Sequence, residues 1–136
     1  MIKIAFDIGG VLTKYPDLLR PIYLALRDGA DIDVYILTDR IEHGEALRLL
    51  HANGFPCEAE QLLCADYGRD GEACKAVLLE TMEIDIMIDD FPAYVSAGCP
   101  LRLLVMPDIT RPYLAENWEG GATKKTAQPY DLTVVS

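Results

Sequence analysis

Ile2-Lys3-Ile4-Ala5-Phe6-Asp7-Ile8-Gly9-Gly10-Val11-Leu12-Thr13 is the stretch whose reading decides the fold. Ile2, Ile4, Phe6 and Ile8 put apolar side chains at alternate positions, with Ala5 between them. That pattern predicts a short strand over residues 2–7, covered on both faces. The strand runs into Asp7 and the pair Gly9-Gly10. A buried strand ending in a carboxylate and a glycine turn points to the carboxyl edge of a parallel sheet, where open α/β sheets bind their ligands. The same residues also fit a plain turn, with Asp7 capping it and the glycines supplying positive φ.

Working outward, residues 8–16 read as a glycine-rich turn ending near Pro16. Residues 17–28 read as a helix with a broad apolar face of Leu18, Leu19, Ile22, Leu24, Ala25 and Leu26, stopped by Gly29. Ile32-Asp33-Val34-Tyr35-Ile36-Leu37-Thr38 is a second strand, rich in β-branched and aromatic residues. Asp39 followed by Glu42 fits a capping box for a helix over 41–53, which Asn53-Gly54 and Pro56 end. A weak third strand is expected at 61–65, and a helix capped by Asp70 at about 71–82. Residues 84–88 form a fourth strand that ends at Asp89-Asp90. Pro92 suits the start of a short helix stopping at Gly98, and 101–105 is a fifth strand. Strands alternating with helices imply right-handed crossovers. The expected fold is α/β, a three-layer Rossmann-like arrangement with a mainly parallel five-stranded sheet.

The chain of 136 residues suits one domain, 1–136, with an irregular segment of about 107–136 wrapping the core, Trp118 as its anchor and 132–135 as a small edge strand. At 51% hydrophobic residues, disorder is excluded as the main state. No apolar run reaches the roughly 18 residues that cross a bilayer, and the start lacks a basic region and cleavage site, so a cytoplasmic protein with no membrane partner is expected. A net charge of −10 argues against nucleic acid as partner. Cys57, Cys64, Cys74 and Cys99 include no C-x-x-C pair, and His43 and His51 stand eight apart, so neither zinc nor a disulfide framework is indicated.

In such a fold the strand ends gather at one edge: Asp7 with Gly9-Gly10, Thr38 with Asp39 and Arg40, and Asp89 with Asp90. Lys75, near the start of the helix before the fourth strand, reaches the same edge. Asp7, Asp89 and Asp90 suit a hard cation with oxygen ligands, such as Mg²⁺. Thr38 offers a hydroxyl and Lys75 a positive charge. The glycine turn offers backbone N–H groups for an anion. Phosphoryl transfer needs these parts together. Taken one at a time, each residue also has an ordinary use: Thr38 as a cap, Lys75 as a solvated side chain, Asp89-Asp90 as a turn.

In this order the residues resemble the haloacid dehalogenase (HAD)-like superfamily, most of whose members are phosphatases, over residues 2 to about 105. Phe6-Asp7-Ile8-Gly9-Gly10-Val11-Leu12-Thr13 is similar to the first motif, and Tyr35-Ile36-Leu37-Thr38 to the second. Lys75 sits where the third-motif lysine would be, and Ile86-Met87-Ile88-Asp89-Asp90 resembles the fourth motif. The resemblance implies that Asp7 attacks phosphorus to form an aspartyl-phosphate, and that Thr38 bonds the phosphoryl oxygens. It implies that Lys75 neutralises Asp7 and the transferred group. Asp89, with Asp90, would hold Mg²⁺ together with the Asp7 carboxylate and the backbone carbonyl of Gly9. Phosphate contacts would come from Gly9, Gly10, Thr38, Asp39 and Lys75.

The family's phosphatases usually carry a second Asp two residues after the nucleophile, and here that position is Gly9. The missing group is the general acid–base, typically worth about 10²–10⁴-fold. His43, Asp39, Glu42 and Thr13 are the candidate substitutes. The other readings are a slow enzyme suited to good leaving groups, or a degenerate protein that binds a phosphorylated ligand or protein partner without turnover. Only 30 residues separate Asp7 from Thr38 and 36 separate Thr38 from Lys75, so no cap domain is expected. An open site takes a small or larger phosphorylated substrate, or borrows a lid in a homo-oligomer. Leu12-Thr13 with Leu37-Thr38-Asp39-Arg40 is similar to capless sugar-acid phosphatases that form tetramers. Arg40, Tyr94, Arg111 and Tyr113 are candidates to face the substrate. A two-component receiver has its acidic pair first rather than last, and no G-x-G-x-x-G dinucleotide fingerprint is present.

Overall fold

Alternation of side chains along β1 (Ile2–Phe6) and β2 (Ile32–Thr38) sets the layers. Ile4, Phe6, Val34 and Ile36 point to one face, where they pack with Leu19 and Tyr23 of α1 (Pro16–Arg27) and Ala46 and Leu50 of α2 (His43–Ala52). Ala5 and Leu37 point to the other face, against Cys74 and Leu79 of α4 (Cys74–Thr81). The structure, a computed structural model, describes residues 1–39, 42–90 and 102–105, the last by backbone alone. β3 (Leu62–Cys64) and β4 (Ile86–Asp89) complete a parallel sheet of order β3-β2-β1-β4. The backbone of β5 (Arg102–Val105) runs parallel beside β4. The molecule is thus α/β, with helices on both faces of a parallel sheet.

Local departures from the sequence expectations have local causes. Asp7 lies just beyond β1, which stops at Phe6. The α1 face is narrower than expected. Leu19 and Tyr23 are buried and Leu26 is half-buried, spaced four and three apart on one stripe, while Leu18, Ile22 and Leu24 lie off that stripe and are exposed. The helix expected at 71–82 is broken. A short α3 (Tyr67–Asp70), capped by Asp66 rather than started by Asp70, gives way at Gly71, whose φ of +62° ends it. A tight turn over Gly71–Ala73 then leads into α4. Ile84 belongs to the close of α4 rather than to β4. Its N–H donates to the Leu79 carbonyl at 2.9 Å and its side chain is fully buried. The helix expected after Pro92 and the segment 107–136, with its strand at 132–135, lie outside the described residues.

Candidate functional site

Register brings the first and fourth motifs together. Phe6 pairs with Ile88, and the Asp7 N–H donates to the Ile88 carbonyl at 2.9 Å, so Asp7 and Asp89 stand level at the ends of adjacent strands. Ala5 and Met87 face α4, so Asp7 and Asp89, each two residues on, are on that face as well. Like charges directly opposite on neighbouring strands repel. Lys75, the second residue of α4, answers that repulsion. Its Nζ donates to Asp7 Oδ1 at 2.8 Å and to Asp89 Oδ2 at 2.6 Å. The side chains of all three are buried, at 1% exposure for Lys75 and 0% for each aspartate. Asp89 Oδ1 also accepts the Asp90 N–H at 2.7 Å, which orients its carboxylate. Asp7, Asp89 and Asp90 each offer a carboxylate oxygen within 4.8 Å of the others. An all-oxygen, anionic donor set of this kind fits a hard divalent cation.

The glycine loop and Thr38 form the other side of the edge. Ile8–Leu12 make a tight buried turn in which Gly10 has φ +76° and Gly9 has φ −68°, ψ 126°. Gly10 is therefore the position that needs a glycine; the Gly9 backbone is open to any residue. The Gly10 N–H donates to Thr13 Oγ1 at 2.9 Å, and the Thr13 N–H donates to the Ile8 carbonyl at 3.0 Å. An anion at this turn would compete with Thr13 for the Gly10 donor. Thr38 ends β2, 3% exposed, and shares the parity of Ile36, which faces α1 and α2. Its carbonyl accepts the Ala65 N–H at 2.7 Å. Asp39 follows it and is buried too.

The capping expectation moves from Asp39 to Glu42. The Glu42 carboxylate accepts the Gly44 N–H at 3.0 Å and the Glu45 N–H at 3.1 Å, closing the N-terminus of α2. These backbone N–H groups hold its carboxyl below the ordinary value of 4.5. His43 is turned elsewhere, with Nε2 3.1 Å from the Ala59 carbonyl. Lys14 is buried at 9% exposure beside Thr13, although a lysine after a glycine turn ordinarily reads as solvated; no signal in the sequence marks it. Arg40, Tyr94, Arg111, Tyr113 and Trp118 lie outside the described residues.

The arrangement gathers a buried ammonium and three carboxylates at one sheet edge, and the three carboxylates could hold a metal ion. Among the described residues no helix is long and apolar enough to cross a membrane. No protein-family model, curated protein or solved structure matches the chain.

Proposed function

We propose that the protein is a magnesium-dependent phosphohydrolase that cleaves phosphomonoesters through an aspartyl-phosphate on Asp7. The observation that carries this reading is the buried Lys75 ammonium, 2.8 Å from Asp7 Oδ1 and 2.6 Å from Asp89 Oδ2, at the end of a parallel sheet. A carboxylate nucleophile needs nearby positive charge to meet a phosphoryl dianion, and a preorganised cation in a buried site supplies it. In this scheme Asp7 attacks phosphorus, while Lys75 and the Thr38 hydroxyl hold phosphoryl oxygens. Asp7, Asp89 and Asp90, with the Gly9 carbonyl, would hold Mg²⁺, which when bound supplies Lewis-acid neutralisation of phosphoryl charge.

The resemblance of the four ordered motifs to the HAD-like superfamily supports the same assignment. With it go a capless, five-stranded Rossmann-like core wrapped by residues 107–136, and a cytoplasmic setting. A phosphorylated small molecule or larger substrate reaches the open edge, with a homo-oligomer as one way to cover it. Gly9 favours a second reading, in which the same site binds a phosphorylated ligand or partner without turnover.

The test is incubation with Mg²⁺ and a panel of phosphomonoesters, beside an Asp7→Asn control. Release of phosphate by the wild type and none by the control supports the hydrolase. Equal release by both overturns it, and phosphate-ester binding by a wild type that releases none favours the second reading.

A further inference from the structure

Gly9 has φ −68° and ψ 126°, a backbone open to any residue, while the need for a glycine falls on Gly10 at φ +76°. The turn therefore does not demand the glycine at position 9, whose effect is to leave no side chain two residues after Asp7. The side chains gathered with Asp7 manage charge. Lys75 Nζ donates to Asp7 Oδ1 at 2.8 Å and to Asp89 Oδ2 at 2.6 Å. Asp89 Oδ1 accepts the Asp90 N–H at 2.7 Å, so both oxygens of Asp89 are acceptors. Asp90 shares the oxygen cluster with the other two aspartates. Neutralised charge helps a phosphoryl group onto Asp7 and off it alike. Proton transfer is a separate demand, made by a leaving alkoxide in the first step and by the attacking water in the second.

We infer that the protein accumulates phosphorylated Asp7, charged by donors whose leaving group departs as a stable anion, namely acyl and aryl phosphates. The inference rests on the phosphohydrolase reading above. In the first step an Asp7 carboxylate oxygen bonds to phosphorus and the bond from phosphorus to the leaving oxygen breaks. That oxygen keeps the electron pair and departs as a carboxylate or phenolate, with no proton taken up. In the second step water attacks phosphorus, the bond from phosphorus to Asp7 breaks, and its electron pair returns to the Asp7 carboxylate. Inorganic phosphate departs, and the proton that the water loses passes to solvent, because position 9 has no carboxylate to take it. General acid–base help is worth about 10²–10⁴-fold, and with these donors its loss falls on the second step alone. The phosphorylated form therefore builds up. With an alkyl phosphate the first step is slowed as well, and it does not.

The test is mass spectrometry of the intact, acid-quenched protein after incubation in Mg²⁺ with acetyl phosphate, nitrophenyl phosphate or glycerol phosphate. Wild type is expected to gain one phosphoryl group from the first two, removable by hydroxylamine, and none from the third. Nitrophenol should appear in a burst equivalent to the protein, followed by a slow phase. Asp7→Asn should gain nothing. Once the donor is removed, the phosphorylated form of Gly9→Asp should decay about 10²–10⁴-fold faster than that of wild type. A wild type that releases phosphate steadily, with no burst and no trapped phosphoryl group, overturns the inference and leaves the phosphohydrolase standing. Labelling by glycerol phosphate as fast as by the other donors overturns it too, since an acid then serves the first step. So does an unchanged decay in a Gly9→Asp protein that circular dichroism shows to be folded. Asp7→Asn that is labelled like wild type overturns the phosphohydrolase reading itself, and a wild type that neither gains a phosphoryl group nor releases phosphate overturns both. The donor comparison is made on wild type, so it stands even if Gly9→Asp does not fold.

Discussion

Lys75→Met removes the one group seen to bond both Asp7 and Asp89 in the described structure. The methionine keeps most of the volume of the lysine stem, so the packing around it changes little. The charge balance changes a great deal. Two carboxylates at 0% exposure remain level on neighbouring strands, with no ammonium between them. Removing one partner of a buried ion pair costs about 3–5 kcal/mol, because the other charge stays buried without compensation. A domain of ordinary stability has roughly 5–15 kcal/mol in all. Urea unfolding in EDTA is the assay. The midpoint is expected to fall by about 1 M or more, given slopes of roughly 1–3 kcal/mol per molar. Two further arms separate charge from packing. Saturating Mg²⁺ should restore part of the loss, about 2.7 kcal/mol at a hundredfold excess over Kd. The triple variant Lys75→Met/Asp7→Asn/Asp89→Asn, which carries no charge at these positions, should recover most of the rest, since replacing a whole buried ion cluster is often neutral. A Lys75→Met protein within about 0.5 kcal/mol of wild type in EDTA, the range of an ordinary surface change, would refute the reasoning.

Mg²⁺ should raise the melting temperature of the wild type, and Asp89→Asn or Asp90→Asn should abolish that rise; a rise unchanged in both variants would move the metal away from this cluster. Gly10→Ala should cost about 1–2 kcal/mol in urea unfolding, because φ +76° strains any side chain, whereas Gly9→Asp meets an ordinary backbone and should increase phosphate release on alkyl esters. A folded Gly9→Asp protein that binds Mg²⁺ and gains on no ester counts against the missing-acid explanation. For Glu42 the sign follows from its depressed carboxyl: the folded state favours the anion, so its stabilisation is fully present above the ordinary 4.5 and is lost as pH falls through the lower folded value. The gap in melting temperature between wild type and Glu42→Ala should therefore be widest near neutral pH and close on the acid side of that window.

How much of this was legible in the sequence differs from element to element. β2 is expected at 32–38 and found there, because β-branched residues between an Asp-rich turn and Thr38 leave one reading. Asp7, Thr38, Lys75 and the pair Asp89-Asp90 are each buried in the molecule, with Lys75 bonded to Asp7 as the motif order suggested. Its second bond, to Asp89, depends on the register of β4 beside β1, a pairing across some eighty residues that no local pattern encodes. The cap of α2 shows another limit. Asp is a better N-cap than Glu by preference, so the sequence favours Asp39, but the chain enters the helix three residues later and Glu42 is what stands at its first turn. The α1 face was over-counted for a similar reason. Leu18, Ile22 and Leu24 are apolar, yet only the stripe through Leu19, Tyr23 and Leu26 meets the sheet.

The order β3-β2-β1-β4 explains why the charged groups lie where they do. From β1 the chain steps outward through β2 to β3, with α1 and α2 on one face; it then returns past both strands to β4, with α4 on the other. The reversal falls between β1 and β4, the kind of switch point at whose carboxyl edge open α/β sheets bind ligands. Asp7 and Asp89 stand at that edge, and α4 delivers Lys75 to both of them. Parity makes the arrangement unforgiving. A one-residue slip of β4 against β1 would turn Asp89 to the α1 face, away from Lys75. Met87 in the cluster on the α4 side, with Ile86 and Ile88 against the cluster on the other, resists that slip, because the same shift would exchange the faces on which they pack. The apolar residues of the fourth motif thus hold the register on which its acidic pair depends.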